Sequence, residues 1–423
     1  MSVEASELRI EQERLMEELR MLATFSQEGV ASGGGTAVTR VVFTEPDQVA
    51  RAYVAELARD AELSVRVDAV GNTFFRWSGS DETLAAVGTG SHIDAIPNAG
   101  MYDGTVGVLG GLEAIRALQR SGFTPRRSIE LILFTSEEPT RFGLGCLGSR
   151  MMSGILSAEA ASGLRDAGGG SLEEARKHAG FGGELGEVRL GAGAYTSFVE
   201  LHIEQGPVLE KERLPIGVVT KIAAPASLRM VVQGEGGHAG AMLMPVRRDA
   251  LAAAAEIVLA VEAAALGTGA EDTVATVGMC EVFPGAVNSV PSRVGLSLDV
   301  RDTDPERRDA VLQRIAAACE ETARRRRVTV ETERVNADRP ASCSDAVVAA
   351  IEKACAAEGL EAHRMVSRAY HDTLFMAQLA EVGMIFIPCR AGVSHRPDEY
   401  AAPEDIARGV RVLARTLAEL SER

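Results

Sequence analysis

The segment VGVLGGLEAIRALQRSGFTPRRSIELILFTSEE, Val106 to Glu138, contains the two elements that decide the fold. Its first part, which ends at Gly122, has the apolar spacing of a helix. Its second part is a continuous apolar run that predicts a buried strand, and this strand ends on two adjacent acids. Another apolar run, AAVGTGSH at 85–92, precedes both and ends on glycines. The alternation of strand and helix predicts an α/β sheet.

Chemically active side chains stand at the ends of the predicted strands. His92 follows the first strand, and the pair Glu137 and Glu138 follows the second. A further strand, within SFVELHIEQGPVLE at 197–210, carries His202. Because ligands bind beyond the carboxyl ends of the strands in α/β sheets, we expect the functional site at this edge.

A different order of elements follows in the middle of the chain. From IGVVTKIAAPASLRMVVQ onward the order is strand, strand, helix, strand, strand, helix, strand, which is typical of a ferredoxin-like α/β sandwich. After Ala341 the first pattern resumes. We therefore predict a large domain formed by residues 1–214 and 336–423, with a smaller domain, 215–335, inserted into it. The run Arg324–Arg327 has the composition of a nucleic-acid patch, but its place at a helix end favours interaction with the helix dipole and solvent.

The composition argues against several classes of function. The 423 residues include 44 basic and 60 acidic side chains, and the formal net charge of −16 repels nucleic acid and anionic lipid. The six cysteines are far apart and form no C-x-x-C pair, which argues against a disulfide framework and a zinc knuckle. No signal-peptide pattern and no run of 18 apolar residues occurs. We expect a cytoplasmic protein that acts on a small molecule, with no nucleic-acid or membrane partner.

Three imidazoles and two carboxylates form a set of candidate metal ligands. They are His92, Asp103, Glu138, His202 and His395. This mixture suits a pair of divalent ions that share one bridging carboxylate. Each residue alone is also compatible with an ordinary structural role, such as a hydrogen-bonded histidine or a helix cap.

Two further acids lie next to these candidates. Asp94, two residues after His92, has the spacing of a carboxylate that supports the imidazole without binding metal itself. Glu137 adjoins Glu138, and adjacent side chains at a strand end point in different directions. Glu138 can therefore bind a metal while Glu137 acts as a base.

Six motifs, spread over nearly the whole chain, resemble those of a known family. They are SHIDAIPNAGMYDG, FTSEEPTRFGLGCLGS, ELHIEQGP, GGHAG, NSVPSRVGLSLDVRD and GVSHRPDEY. Together they resemble the metal-dependent amidohydrolases of the M20 peptidase clan, specifically the hydantoinase/carbamoylase branch. The resemblance implies a large catalytic domain of the metallo-exopeptidase type with an inserted lid domain, and a homodimer that forms through this lid domain.

The resemblance also implies roles for individual residues. One ion would be bound by His92, Asp103 and His202, and the other by Asp103, Glu138 and His395. Glu137 would be the general base, and the catalytic set would also include Asp94 and His238. The substrate would contact Gln205, His238, Asn288 and Arg301. The resemblance favours two Mn²⁺ ions per subunit, and the ligands also suit Zn²⁺, Co²⁺ or Ni²⁺.

Three sequence segments indicate the substrate. IAAPASLRMVVQGEGGHAGAMLMP, SRAYHDTLFMA and GMIFIPCRAGVSHRPDEY are most similar to the members of this branch that act on ureidoglycolate. The expected reaction is therefore hydrolysis of a ureido acid, (S)-ureidoglycolate, to glyoxylate, ammonia and carbon dioxide. Hydrolysis of an N-carbamoyl-L-amino acid or of allantoate is the alternative, since Arg390–Val393 lies in a loop that varies among relatives.

The sequence is also compatible with a non-catalytic function of the protein and with a structural role of Arg301. A non-catalytic binding protein on the same scaffold would need none of the chemistry, although all five candidate ligands and the candidate base are present. Arg301, which lies in the segment LSLDVRD at the end of a predicted strand, would equally suit a surface ion pair with Asp299 or Asp302. The family pattern favours binding of the substrate carboxylate, because the planar guanidinium contacts both oxygens at once.

Overall fold

A computed structural model describes residues 8–27 and 35–423, which form twelve helices and seventeen strands. The helices are α1 Gln12–Thr24, α2 Glu45–Asp60, α3 Thr105–Arg120, α4 Leu147–Ser153, α5 Ala158–Ser162, α6 Leu172–His178, α7 Val208–Glu212, α8 Ala250–Leu266, α9 Pro305–Arg326, α10 Asp345–Ala357, α11 Asp372–Met376 and α12 Pro403–Glu422. The strands are β1 Val38–Arg40, β2 Ser64–Val67, β3 Thr73–Trp77, β4 Ala86–Ser91, β5 Ala95–Ala99, β6 Ile129–Leu133, β7 Tyr195–Ile203, β8 Ile216–Ile222, β9 Ala224–Gln233, β10 Gly237–His238, β11 Val274–Phe283, β12 Ser289–Val290, β13 Arg293–Asp302, β14 Thr329–Ala337, β15 Ala341–Ser342, β16 Ala362–Ser367 and β17 Glu381–Ile387. In the described part of the chain, no helix combines the length and the apolar composition needed to cross a membrane.

The described chain divides into two compact units. The larger unit contains the described residues up to Thr220 together with Ser342–Ser367 and His371–Arg423. The smaller unit contains Lys221–Ala341 and the short segment Arg368–Tyr370.

The larger unit is built on a mixed sheet of nine of these strands. Their order is β15-β8-β17-β7-β4-β6-β3-β2, with β16 paired to β8. The central strands β17, β7, β4 and β6 are parallel to one another, and antiparallel strands extend the sheet on both sides. The predicted α/β class is confirmed.

The segment that predicted this class forms α3 and β6. All residues of β6 are buried, and α3 packs against β4, β6 and β7. Gly107 of α3 permits close packing, because a Cβ at this position would lie 2.5 Å from the carbonyl oxygen of Leu201. An apolar cluster, which includes Ile132, Phe134 and Phe198, joins the sheet to α4, α5 and α6.

The smaller unit is a four-stranded antiparallel sheet in the order β11-β13-β9-β14, packed against α8 and α9. Every second residue of β13 is buried in its core: Val294, Leu296, Leu298 and Val300. Along the chain the elements run β9, α8, β11, β13, α9, β14. This is the ferredoxin-like connectivity expected from the sequence.

The unit boundaries lie a few residues after the predicted positions 215 and 335. The strand β8 was expected to open the small domain, but its residues Gly217 to Val219 pair with β17 in the large sheet. The chain therefore enters the smaller unit only at Lys221. At the other end, β14 continues to Ala337 because that residue still pairs with Ala226 of β9. Pairing between distant strands, which local periodicity does not reveal, sets both limits.

A buried arginine joins the amino-terminal helix to the segment that carries His92. Arg40, the last residue of β1, is only 1% exposed. Its guanidinium donates to the carbonyl oxygens of Leu22 at 2.7 Å, Phe25 at 2.7 Å and Ile93 at 2.6 Å. Burial lowers the pKa of Arg40 to about 10, so the side chain stays charged at neutral pH.

We predict that Arg40→Met lowers the free energy of unfolding by about 3 kcal/mol, because buried carbonyl oxygens without a donor cost roughly 1–3 kcal/mol each. Arg20→Met removes an exposed arginine of α1 and should change the same quantity by no more than about 0.5 kcal/mol. Denaturant unfolding followed by circular dichroism measures both values. Equal effects of the two substitutions would contradict the role given to Arg40.

Candidate active site

The candidate residues of the larger unit lie at the carboxyl ends of its parallel strands. His92 directly follows β4, and Glu137 and Glu138 follow β6. His202 is the penultimate residue of β7, and His395 lies in the loop after β17. Each of the central parallel strands therefore leads to one part of the candidate site, at the edge where the sequence placed it.

Asp103 lies at the centre of this arrangement. Its Oδ1 is 3.5 Å from His92 Nε2 and 3.1 Å from His202 Nε2. Its Oδ2 is 3.3 Å from His395 Nε2, and this nitrogen is 3.2 Å from Glu138 Oε1. Within each of the two groups, His92 with Asp103 and His202, and Asp103 with Glu138 and His395, the potential ligand atoms all lie within 4.8 Å of one another. One carboxylate thus takes part in two clusters and turns one oxygen toward each.

Backbone carbonyls orient two of the imidazoles. His92 Nδ1 lies 3.0 Å from the carbonyl oxygen of Asp94, and His202 Nδ1 lies 2.8 Å from that of Ile203. Because a carbonyl only accepts hydrogen bonds, Nδ1 is the donor in both rings. Nε2, which faces Asp103, therefore presents its lone pair in the neutral ring, as a metal ligand requires.

A glycine allows the two loops of the first cluster to approach. Gly104 has a φ of 65°, and a Cβ at this position would lie 2.5 Å from atoms of the His92 ring. Its N–H donates to His202 Nε2 at 3.2 Å. A side chain at position 104 would displace His92 from Asp103.

The carboxylates make this site attractive to positive charge. The hydrogen bonds that His395 donates to Asp103 and Glu138 raise its pKa to about 11. Burial lowers the pKa of His92 and of His202, but the neighbouring carboxylates more than reverse this, and both pKa values are above the ordinary one. A potential that stabilises a protonated imidazole also stabilises a metal cation. Imidazole and carboxylate donors in this geometry therefore fit divalent ions.

Asp94 orients the turn that carries the two glutamates. Its Oδ1 accepts from the N–H of Glu137 at 3.2 Å, and its Oδ2 accepts from the N–H of Glu138 at 3.0 Å. The contact of Asp94 with the imidazole of His92 is made by the backbone carbonyl, while the carboxylate is 3.7 Å away. Glu137 is buried, and this burial raises its pKa well above the ordinary value.

Three polar residues hold Asp103: two contact its Oδ2 and one contacts its backbone N–H. Gln205 Nε2 donates to Asp103 Oδ2 at 2.7 Å, and the Ser394 hydroxyl lies 2.9 Å from the same oxygen. Glu399 accepts from the backbone N–H groups of Tyr102 at 2.9 Å and Asp103 at 3.0 Å, and its other oxygen is 2.8 Å from Ser394 Oγ. Sequence reasoning missed Ser394 and Glu399, although both stand in the motif GVSHRPDEY beside His395.

A second group of residues that the sequence analysis did not identify lies beside His202. His371, which the sequence analysis did not consider, is buried, and its ring centroid is 4.6 Å from that of His202. With Glu200 these histidines form a third possible metal cluster. The carboxylate of Glu200 is already hydrogen-bonded by the hydroxyls of Ser91 at 2.7 Å and Thr373 at 2.5 Å. Glu200 therefore already has hydroxyl partners, and the ring of His371 packs against that of His202.

Three candidate substrate residues belong to the smaller unit. The short strands β10 and β12 pair His238 with Ser289, and the N–H of Ala239 donates to the carbonyl oxygen of Asn288 at 2.8 Å. This ladder brings His238 and Asn288 together. Arg301 lies near the end of β13, where its Nε donates to Asp299 Oδ1 at 2.7 Å.

Comparison with known proteins agrees with the motifs. Residues 88–419 match the model of peptidase family M20/M25/M40. A ureidoglycolate hydrolase of Arabidopsis thaliana is 51% identical over 426 residues, which cover 99% of this chain and 88% of the relative. An N-carbamoyl-L-amino acid amidohydrolase of Geobacillus stearothermophilus is 41% identical over 414 residues, covering 98% of this chain and 99% of the relative.

Solved structures of similar proteins agree with this family match. AtUAH, crystallised in complex with (S)-hydroxyglycine and with glyoxylate, is 50% identical, with 99% of each chain covered and a TM-score of 0.92. Sequence identity and fold therefore agree over almost the whole length. The chain belongs to the peptidase family M20/M25/M40, a metal-dependent family, and within it to the hydantoinase/carbamoylase branch that its motifs predicted.

Proposed function

We propose that this protein is a dinuclear metal-dependent hydrolase that converts (S)-ureidoglycolate and water to glyoxylate, two molecules of ammonia and carbon dioxide. The observation that carries the proposal is the position of Asp103, whose two oxygens face separate groups of metal-binding side chains. The substrate follows from the relatives, since identity is 51% to the ureidoglycolate hydrolase and 41% to the carbamoyl amino acid enzyme.

The two clusters that share Asp103 would hold two divalent ions. One ion would be bound by His92, Asp103 and His202, and the other by Asp103, Glu138 and His395. Bound ions would lower the pKa of a water molecule and polarise the scissile carbonyl. We propose Mn²⁺ as the native metal, which these nitrogen and oxygen donors suit as they suit Zn²⁺, Co²⁺ and Ni²⁺.

Glu137 is the proposed general base. Burial is the largest cause of its raised pKa, and the charges of Glu138 and Asp372 add to it, while His92 acts in the opposite direction. A carboxylate with a raised pKa accepts a proton from the attacking water and, in the protonated form, delivers it to the leaving nitrogen. Because of this proton, the leaving nitrogen departs as ammonia and not as an unstable amide anion. Asp94 supports this chemistry by fixing the backbone of Glu137.

His238 is the proposed donor to the carbonyl oxygen as negative charge develops there. The N–H of Gly240 donates to His238 Nδ1 at 3.2 Å, so the neutral ring carries its proton on Nε2. This tautomer can donate to an oxyanion, and such donors contribute about 3–4 kcal/mol to catalysis in other enzymes. Asn288, held beside His238 by the β10–β12 ladder, is proposed to contact the same part of the substrate.

Arg301 and Gln205 are the proposed residues for substrate selectivity. The contact of Arg301 with Asp299 and the position of its guanidinium, 5.3 Å from the ring centroid of Tyr370, fix the plane of the guanidinium. A fixed planar group suits recognition of a carboxylate. Gln205 donates through Nε2 to Asp103, while its buried Oε1 has no partner within the described chain. We propose that this oxygen accepts a hydrogen bond from an N–H of the ureido group.

The smaller unit, which the sequence predicted at residues 215–335, is proposed to be the lid and the dimerisation domain. In support of a homodimer, this unit exposes large apolar side chains, among them Leu259 and Leu266 of α8 at 65% and 75% and Met279 of β11 at 58%. We also propose a cytoplasmic location, because the six cysteines are unpaired, which suits a reducing compartment.

A substrate panel tests the proposal directly. The Mn²⁺-loaded protein is assayed for ammonia release from ureidoglycolate, allantoate, N-carbamoyl-L-amino acids and N-carbamoyl-β-alanine. The highest kcat/KM is expected with (S)-ureidoglycolate. A clear preference for allantoate or for an N-carbamoyl-L-amino acid would assign the alternative substrate instead, and turnover of none of them would favour a non-catalytic binding protein.

Glu137→Gln should lower kcat at least about 100-fold, because a general base contributes 10² to 10⁴ to the rate. Metal content should stay near the wild-type value, since Glu137 is not one of the proposed ligands. Elemental analysis and steady-state kinetics measure the two effects, with Glu361→Gln at an exposed position as the matched control. Loss of the metals, or retention of most of the activity, would rule out this role.

Asp103→Ala should empty both metal positions, because the shared carboxylate contributes one oxygen to each cluster. Metal content per chain after dialysis against buffer with a small excess of Mn²⁺ is the measurement. Asp60→Ala, at an exposed carboxylate, should bind metal as the wild type does. Two ions per chain in the Asp103 variant would refute the bridge.

Arg301→Lys should raise KM strongly for (S)-ureidoglycolate, because lysine keeps the charge but cannot contact both carboxylate oxygens in one plane. Metal content and thermal stability should hardly change. Release of carbon dioxide from the ureido group is compared for the acid and for its primary amide, with Arg229→Lys at an exposed position of β9 as the control. If the Arg301 variant is impaired equally with acid and amide, Arg301 does not recognise the carboxylate.

A further inference from the structure

One buried cysteine contacts both the backbone and the carboxylate of Glu137. The N–H of Cys146 donates to the main-chain carbonyl oxygen of Glu137 at 2.7 Å. The Cys146 thiol donates to Glu137 Oε1 at 3.6 Å, a normal distance for a hydrogen bond from sulfur. Cys146 is fully buried. The mechanism proposed above uses Glu137 and gives Cys146 no part.

The backbone of Cys146 has a conformation that is unusual for a residue with a side chain. Cys146 precedes α4 with φ 53° and ψ 37°, the left-handed conformation in which a Cβ causes strain and glycine does not. The same loop has glycine at position 143, where φ is 69°. Capping of α4 does not explain the cysteine, because its side chain makes no capping hydrogen bond. A strained residue beside a candidate active site is a reason to look for a function of its side chain.

The two carboxylate oxygens of Glu137 have different surroundings. Oε1 accepts from the Cys146 thiol, whereas Oε2 lies 3.7 Å from His92 Nε2, on the side of the proposed metal ligands. Burial raises the pKa of the Cys146 thiol well above its ordinary value, and the charge of Glu137 adds to this effect. The sulfur therefore keeps its proton and remains a donor. A donor on Oε1 leaves Oε2 as the oxygen that faces the candidate site.

We propose that Cys146 is a positioning residue that holds the Glu137 carboxylate in the orientation from which Oε2 accepts and delivers protons. This inference rests on the proposed role of Glu137 as general base. Cys146 acts only through Glu137 and contacts neither substrate nor metal. Because misplacement of a reacting group by about 1 Å costs on the order of 10² in rate, loss of the thiol contact should be visible in kcat.

Cys146→Ala isolates the thiol, because alanine keeps the Cβ and therefore the backbone strain. With (S)-ureidoglycolate, kcat should fall about 10- to 100-fold, while KM and the metal bound per chain stay at wild-type values. Cys146→Ser, whose hydroxyl is also a donor, should recover most of the loss. The control is Cys355→Ala, which removes a thiol of similar burial from α10 and should leave kcat unchanged.

The double variant Glu137→Gln with Cys146→Ala tests whether the cysteine acts through the glutamate. If it does, the residual rate of Glu137→Gln should not fall further when Cys146→Ala is added. An independent further loss would overturn the proposal. So would loss of bound metal in Cys146→Ala, activity of that variant equal to Cys355→Ala, or a serine variant as impaired as the alanine variant. Failure of the proposed function is a different result, namely wild-type activity in Glu137→Gln alone.

Discussion

The shared carboxylate of Asp103 is the group on which the rest of the candidate site depends. Its Oδ1 faces His92 and His202, and its Oδ2 faces His395. A rotation of the carboxylate that shortens the contacts of one oxygen therefore lengthens those of the other. The surrounding residues remove this freedom: Gln205 and Ser394 contact Oδ2, and Glu399 accepts from the backbone N–H of Asp103 itself. Because a carboxylate is planar, fixing Oδ2 also fixes the direction of Oδ1. The contacts at Oδ2 therefore set the direction of Asp103 toward both clusters.

The parallel strands bring together groups that are far apart in the chain. The strands β4, β6, β7 and β17 all end at one edge, so His395 lies 3.3 Å from Asp103 and 3.2 Å from Glu138 although these residues are more than 250 positions apart in the sequence. Precision within this edge comes from smaller contacts. Asp94 fixes the turn of Glu137 and Glu138, and Arg40 holds the carbonyl of Ile93 next to His92. These contacts link the site to the core of the larger unit.

Burial of so many acids has an energetic consequence. Glu137, Glu200 and Asp372 are all buried, and burial is the largest cause of the raised pKa values of Glu137 and Asp372, the latter to about 8. Burying charge without a partner costs several kcal/mol, so the fold partly compensates with hydroxyl donors such as Ser149, which is 2.5 Å from Asp372. Divalent cations would supply the remaining compensation. Metal binding at the neighbouring ligands Asp103 and Glu138 and the stability of the fold should therefore be linked through the charge of these buried acids.

The sequence by itself determined the α/β class, the ferredoxin-like order of the smaller unit and the positions of the candidate ligands at strand ends, because these follow from local periodicity. It did not reveal His371, Glu399 or the contact of Cys146 with Glu137, and it placed the start of the smaller unit before β8. These features depend on pairing between residues that are distant in the chain, such as Glu399 with Asp103 or β8 with β17. Hydrogen bonds of this kind form only after the strands have assembled, so tertiary structure alone decided which polar side chains became partners of the site.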